Sequence, residues 1–203
     1  MESRLVPTPR TLDDIDLQKR ELLGRGWGKL ERFTFRHKRF DGTWSQPIQR
    51  DLYTIAEVSM VLPYDPALDA VVLIEQFRTC GLYWGEATWL FEAVAGIVDP
   101  GETPPEVAAR EAMEEAACAI GAPVHIGTVF SSPGGYGERT YMYAARADLS
   151  KVGGIHGLAH EHEDIRAVAV PLDEAYAAAM DGRIRDAKTI LMIQWLTANK
   201  AKL

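Results

Sequence analysis

From Gly96 to Glu115 the chain runs Gly96-Ile97-Val98-Asp99-Pro100-Gly101-Glu102, then reaches Arg110-Glu111-Ala112-Met113-Glu114-Glu115. Pro104 and Pro105 suit a helix start, and Glu106 to Ile120 has the Ala, Glu, Arg and Met content of a strong helix, with Gly121 as its expected stop. On such a helix Glu111 and Glu115 stand one turn apart on one face, with Glu114 beside them. Like charges at that spacing repel by a few tenths of a kcal/mol, so helix stability does not ask for them. Hard divalent cations reverse the sign, because carboxylate oxygens are their preferred ligands. A solvated face is the ordinary fate of three glutamates on a helix. The preceding loop argues otherwise, since Gly96 and Gly101 permit a tight bend around Glu102 and Pro104 fixes the helix start.

The rest of the chain bounds what this segment can serve. A length of 203 residues suits one domain, or one domain with a substantial extension. Its 47% hydrophobic and 25% charged residues are those of a soluble globular protein. No apolar run reaches the ~18 residues that span a bilayer, and Met1 to Arg20 is too mixed and charged for a signal peptide or anchor. Membrane partners are therefore not expected, and the cytoplasm is the expected location. Cys80 and Cys118 show neither metal nor redox spacing and read as small, partly buried side chains. A net charge of −7 argues against a nucleic-acid partner, which would need a basic face. An acidic protein can still bind a pyrophosphate if divalent cations stand between its carboxylates and the substrate.

Strand patterns lead and helices close the chain. Residues 1–51 contain a strand at Trp27 to His37, a turn at Asp41-Gly42 and a second strand at Ser45 to Tyr53, a small antiparallel unit. Residues 52–203 form the main body. Its strands are Thr54 to Leu62, Ala70 to Glu75, Trp89 to Val98, His125 to Ser131, Thr140 to Ala145 and Ile165 to Val170; its closing helices are Leu172 to Met180 and Ala187 to Lys200. This is an α+β layout and not the alternation of a doubly wound fold.

The acidic segment resembles the Nudix box of the Nudix hydrolases: Gly, five residues, Glu, seven residues, Arg-Glu, an apolar and a free residue, Glu-Glu, a free residue, Gly, apolar. Gly96, Glu102, Arg110, Glu111, Ala112, Glu114 and Glu115 fall in register, whereas Ala117 replaces the usual Gly and Cys118 the usual aliphatic. Flanking segments resemble the ADP-ribose pyrophosphatase branch of that family: Val72 to Arg78, Trp89 to Gly96, Ser132-Pro133-Gly134-Gly135 with Glu138-Arg139, and Glu161 to Arg166.

The resemblance implies a mixed sheet between helices, an α/β/α sandwich, behind an N-terminal unit used for homodimerisation. It implies Mg²⁺, with Mn²⁺ as the alternative, held by Glu111, Glu115, the carbonyl of Ala95 and Glu163. Glu114 is implied as a third or water-mediated ligand, and Arg110 as the partner of Glu102 that orients the loop. Glu161 is implied as the general base, although the roles of Glu161 and Glu163 could be exchanged. Arg78, after an apolar strand, can offer a fixed guanidinium to phosphate, and Arg50 invites the same role. Either arginine could equally be a surface ion pair. Trp27 could stack on an adenine, although a lone strand aromatic is more often core or interface. Glu138 joins the substrate-binding set.

The loop from Gly153 to His162 is rich in Gly and His, as functional loops often are. His156, His160 and His162 lack a fourth ligand nearby and read as polar loop residues. The implied reaction is hydrolysis of ADP-ribose to AMP and ribose 5-phosphate. The alternatives are the same cleavage of GDP-mannose or ADP-glucose, a non-catalytic ligand-binding regulator of the same fold, and an enzyme for oxidised nucleoside triphosphates.

Overall fold

The computed structural model describes Leu5 and residues 7–203, so the first residues of the Met1–Arg20 stretch lie outside it. It divides into two compact units, one reaching to Ile55 and including Ser132–Gly137, the other Ala56–Ser131 with Glu138–Leu203.

The first unit is an antiparallel meander of β1 (Ile15–Arg25), β2 (Lys29–His37) and β3 (Ile48–Thr54). Its longest strand, β1, lies in a stretch without clear alternation, where Asp16, Lys19, Arg20 and Glu21 interrupt Leu17, Leu22 and Leu23. Pairing with β2 makes it a strand, including a bidentate Arg20–Glu31 ion pair at 2.8–2.9 Å. Leu17, Leu22, Leu23 and Leu30 all remain exposed in this unit.

The second unit comprises β4 (Glu57–Asp65), β5 (Ala70–Phe77), α1 (Cys80–Trp84), β6 (Trp89–Glu92), β7 (Val94–Ile97), α2 (Pro104–Ala116) and β8 (Val124–Ser132). It continues with β9 (Tyr136–Arg146), β10 (Gly154–His156), β11 (Ile165–Pro171), α3 (Leu172–Asp181) and α4 (Ala187–Asn199). β4 pairs in parallel with β9, while β5, β11 and β10 follow as antiparallel neighbours, so the sheet is mixed. Ladder bonds between β4 and β5 are confined to Tyr64–Val71 and Asp65–Ala70. Beyond that point the strands separate, β7 pairing with β4 and β6 with β5. The apolar run Trp89 to Val98, expected as one strand, is therefore two short ones that break at Ala93. Ala93 is fully buried and donates its N–H to Thr189 Oγ1 of α4 at 2.8 Å.

Helices cover both faces. Met60, Leu62, Val71 and Leu73 pack with Leu172, Ala175, Met192, Ile193 and Leu196 of α3 and α4. Val61, Val72, Ile74 and Val94 pack on Ala108, Ala112 and Ala116 of α2. That arrangement is the expected α/β/α sandwich. It explains why β4 and β5 are near-continuous apolar runs, since a strand buried on both sides has no solvent face to mark with polar residues. No helix among the described residues is long and apolar enough to cross a membrane.

Helix α2 ends earlier than the sequence suggested. Its last residue is Ala116, and Ala117 caps it in the left-handed region at φ 47°, ψ 37°, accepting the role expected of Gly121. A left-handed L-residue costs about 1–2 kcal/mol, which is why helices are commonly closed there by glycine. Ala117→Gly is accordingly predicted to stabilise the fold by about 1 kcal/mol. The urea midpoint should rise without a change in slope; an unchanged or lower midpoint would contradict the strain.

Candidate active site

The acidic helix is fixed before its glutamates are placed. Thr103 and Glu106 form a capping box, with Thr103 N–H donating to Glu106 Oε2 at 2.9 Å and Pro104 in the first turn. Ser59 Oγ donates to the Pro104 carbonyl at 2.6 Å, tying the helix start to β4. The stripe Ala108, Ala112, Ala116 then lets the helix axis lie close to the sheet. Residues flanking such a stripe are drawn inward, and Glu115 is only 1% exposed and Glu111 9%.

Burial pushes both carboxyl groups up. Glu111 is raised to about 7, chiefly by desolvation, with Arg110 opposing and Glu114 and Glu163 adding to the rise. Glu115 is raised well above the usual carboxylate range for the same first reason, opposed by the Ala95 N–H, which donates to its Oε2 at 3.0 Å. Arg110 balances the charge. Its Nε donates to Glu102 Oε1 at 2.9 Å, and its Nη1 donates to Glu111 Oε1 at 2.8 Å and to Glu114 Oε2 at 2.9 Å. One guanidinium thus joins the loop glutamate to two glutamates of the helix.

Two glycines make room for these groups. A side chain at Gly96 would overlap the Glu111 carboxylate, so the first position of the motif is empty because the glutamate fills it. Gly157, at φ 102°, donates its N–H to the Glu114 carbonyl at 3.3 Å and would place any Cβ 2.7 Å from that of Glu163. Glu163 Oε2 accepts the Leu158 N–H at 3.0 Å, and its charge acts on both Glu111 and Glu115. The loop glutamate and the helix glutamates are therefore neighbours. All the donors gathered are oxygens, the set that suits Mg²⁺ or Mn²⁺. As they stand, no three metal-ligating side chains converge on one point among the described residues. Each carboxylate is instead turned to Arg110 or to a backbone N–H.

A second charged row borders the first. Arg78 donates through Nε and Nη2 to Glu92 at 2.8–3.2 Å, and it lies within electrostatic reach of Glu115. Lys188, near the start of α4, reaches Glu138 at 3.2 Å and Asp186 at 3.6 Å. Burial would lower this ammonium, but Asp186 and Glu138 outweigh it and hold Lys188 above its usual value. Glu138 is raised by burial and lowered more by the Ser131 hydroxyl and Lys188, with Thr140 adding a bond at 2.9 Å. Glu92, Asp186 and Lys188 were not singled out in the sequence. The Asp186 N-cap at 2.8 Å from Thr189 N was a readable helix start, but nothing in the sequence signals that Lys188 points inward.

The remaining residues separate. Glu161 lies in a short 3₁₀ turn, Ala159–Glu161, with its carboxylate exposed and 3.5 Å from His160. His156 Nε2 is bonded to the Gly153 carbonyl at 2.9 Å. Trp27 and Arg50 belong to the first unit, where Trp27 is 76% exposed and Arg50 donates to the Gln49 carbonyl at 2.7 Å.

The fold, with this glycine-bounded acidic loop and with the acidic helix as one of its outer layers, is of the Nudix type. Residues 54–192 match the model of the NUDIX domain, and residues 14–53 match that of the GDP-mannose pyrophosphatase NudK N-terminal domain. The chain belongs to the Nudix hydrolase family. It is 38% identical over 191 residues to an ADP-ribose pyrophosphatase of Escherichia coli K12, covering 94% of this chain and 91% of the relative. It is 38% identical over 193 residues to one of Haemophilus influenzae, covering 94% and 89%. A GDP-mannose pyrophosphatase of Yersinia pestis is 37% identical over 177 residues, covering 86% and 87%. In fold it resembles the crystal structure of an ADP compounds hydrolase, with TM-score 0.67 at 19% identity over 94% of this chain and 98% of that one.

Proposed function

We propose that this chain hydrolyses the pyrophosphate bond of a nucleoside diphosphate sugar, ADP-ribose first among them, to a nucleoside monophosphate and a sugar phosphate. The observation that carries this reading is the burial of Glu111 and Glu115 beside Glu163, an oxygen-only acidic cluster whose charges oppose one another. Two relatives of different specificity match almost equally in identity, but the ADP-ribose pyrophosphatases extend over more of the chain, 94% against 86%.

In this reading Glu111, Glu115 and Glu163, with the Ala95 carbonyl and Glu114, would hold Mg²⁺ or Mn²⁺. The bound cation supplies neutralisation of phosphoryl charge and a lowered pKa for water. Arg110 and Glu102 keep the loop and helix in register. Among the described residues no partner meets Arg78 Nη1 after Nε and Nη2 have met Glu92, and that edge serves a phosphoryl oxygen. Glu161, exposed on its turn, takes the proton of the attacking water when the loop closes. Glu138 orients the sugar nucleotide, Trp27 stacks on the base, and Arg50 adds a phosphate contact.

The first unit is proposed to be a dimerisation element, acting in a cytoplasmic enzyme. Its exposed Leu17, Leu22, Leu23 and Leu30 form apolar surface that a second copy of the chain would bury. Sedimentation equilibrium is predicted to give twice the 22.5 kDa of one chain; a monomer at micromolar concentration would contradict this. In a panel of ADP-ribose, ADP-glucose, GDP-mannose and an oxidised dGTP, AMP release from ADP-ribose with Mg²⁺ is predicted to be fastest and abolished by EDTA. Faster turnover of another sugar nucleotide would move the specificity, and no turnover with ligand binding intact would favour a binding module.

A further inference from the structure

Gln76 is buried, 8% exposed, yet among the described residues its side-chain Nε2 has no hydrogen-bond partner. Buried amide groups are nearly always bonded, because desolvation without a partner opposes folding. The strand geometry shows where this amide points. Side chains alternate along β5, so Gln76 shares its face with Ile74, which packs on α2, and with the site of Arg78 just beyond the strand end. In the ladders, Ile74 stands opposite Glu92 and Gln76 opposite Leu90, while Arg166 stands opposite Glu75 on the other side. The β5–β11 ladder ends at Arg166–Glu75, and just beyond it both Arg78 and Glu163 lie within electrostatic reach of Glu115. The amide therefore lies on the α2 side of the sheet, at the end where Arg78, Glu92, Glu115 and Glu163 gather.

The neighbouring carboxylates have other partners. Glu92 is taken by Arg78 through three hydrogen bonds, Glu115 by Ala95 N–H, and Glu163 by Leu158 N–H. Among the described residues Gln76 Nε2, near the end of β5, and Arg78 Nη1, just beyond it, are thus two uncommitted donors two residues apart. A donor that is unpaired in the empty protein and fixed by a strand needs no reorganisation when an anionic oxygen arrives.

We infer that Gln76 is a substrate-positioning residue whose amide N–H donates to a phosphoryl oxygen of the bound diphosphate, alongside the Arg78 guanidinium. This rests on the reading of the substrate as a nucleoside diphosphate sugar. A purely structural glutamine would lose stability on replacement by an apolar residue of similar size. An amide kept for substrate would not.

The test compares Gln76→Leu and Gln76→Glu with the wild-type protein by thermal unfolding without ligand and by isothermal titration with the non-hydrolysable α,β-methylene analogue of ADP-ribose. Gln76→Leu is expected to unfold at the same or a higher temperature while binding the analogue about tenfold more weakly. Gln76→Glu, which brings a negative charge to the phosphate, is expected to bind more weakly still, and KM for ADP-ribose should rise in the same order. Unchanged binding in Gln76→Leu would overturn the proposal, as would a lowered unfolding temperature with unchanged KM. A wild-type protein that binds no analogue would overturn the substrate reading and this proposal together, whereas normal wild-type binding with an unaffected variant overturns this proposal alone.

Discussion

The hydrogen bond from Ala95 N–H to the Glu115 carboxylate is the point on which the site depends. It joins the edge of a short strand to a helix and holds a carboxylate at 1% exposure, where a charge has lost nearly all its water. An arrangement of this kind opposes folding unless other groups are built around it. Here they are: the alanine stripe that seats the helix, the divergence of β4 and β5 that admits β6 and β7, and Thr189, which ties Ala93 to α4. The sandwich supplies the rigidity, and the buried glutamates use it.

Arg110 sets the balance of charge within that frame. Its three carboxylate partners, Glu102, Glu111 and Glu114, would otherwise repel one another across the loop–helix junction. At Glu111 the attraction to this guanidinium opposes the desolvation that raises the carboxyl group. The second row, Arg78 with Glu92 and Lys188 with Glu138, repeats the device on the neighbouring strands. Among the described residues Arg78 Nη1 and Gln76 Nε2 keep no partner, and these are the donors proposed for an anionic ligand.

The parts that were legible in the sequence are those whose signal is local. Spacing alone placed Glu111, Glu114 and Glu115 on one helix, and the glycine at 96 and the proline at 104 marked the loop and helix start. Buried strands such as β4 and β5 were visible as apolar runs. What escaped depends on contacts between distant residues. Trp89 to Val98 looks like one strand, because its break at Ala93 follows from two different pairing partners. β1 looks too charged for a strand until β2 pairs with it. The end of α2 was misplaced because Ala117 adopts a left-handed cap that its side chain does not favour. Lys188 and Glu92 carry no motif, and their roles follow only from burial and proximity.

In the proposed function Glu111 and Glu115 are buried for a divalent cation and at the expense of stability. Thermal unfolding of the wild-type protein and of Glu115→Gln, each in EDTA and in Mg²⁺, tests it directly. Mg²⁺ is predicted to raise the wild-type unfolding temperature, and Glu115→Gln to be at least as stable as wild type in EDTA and indifferent to Mg²⁺. A wild-type protein indifferent to Mg²⁺, together with a variant that unfolds at lower temperature in EDTA, would show that the buried carboxylate serves the fold and not a cation.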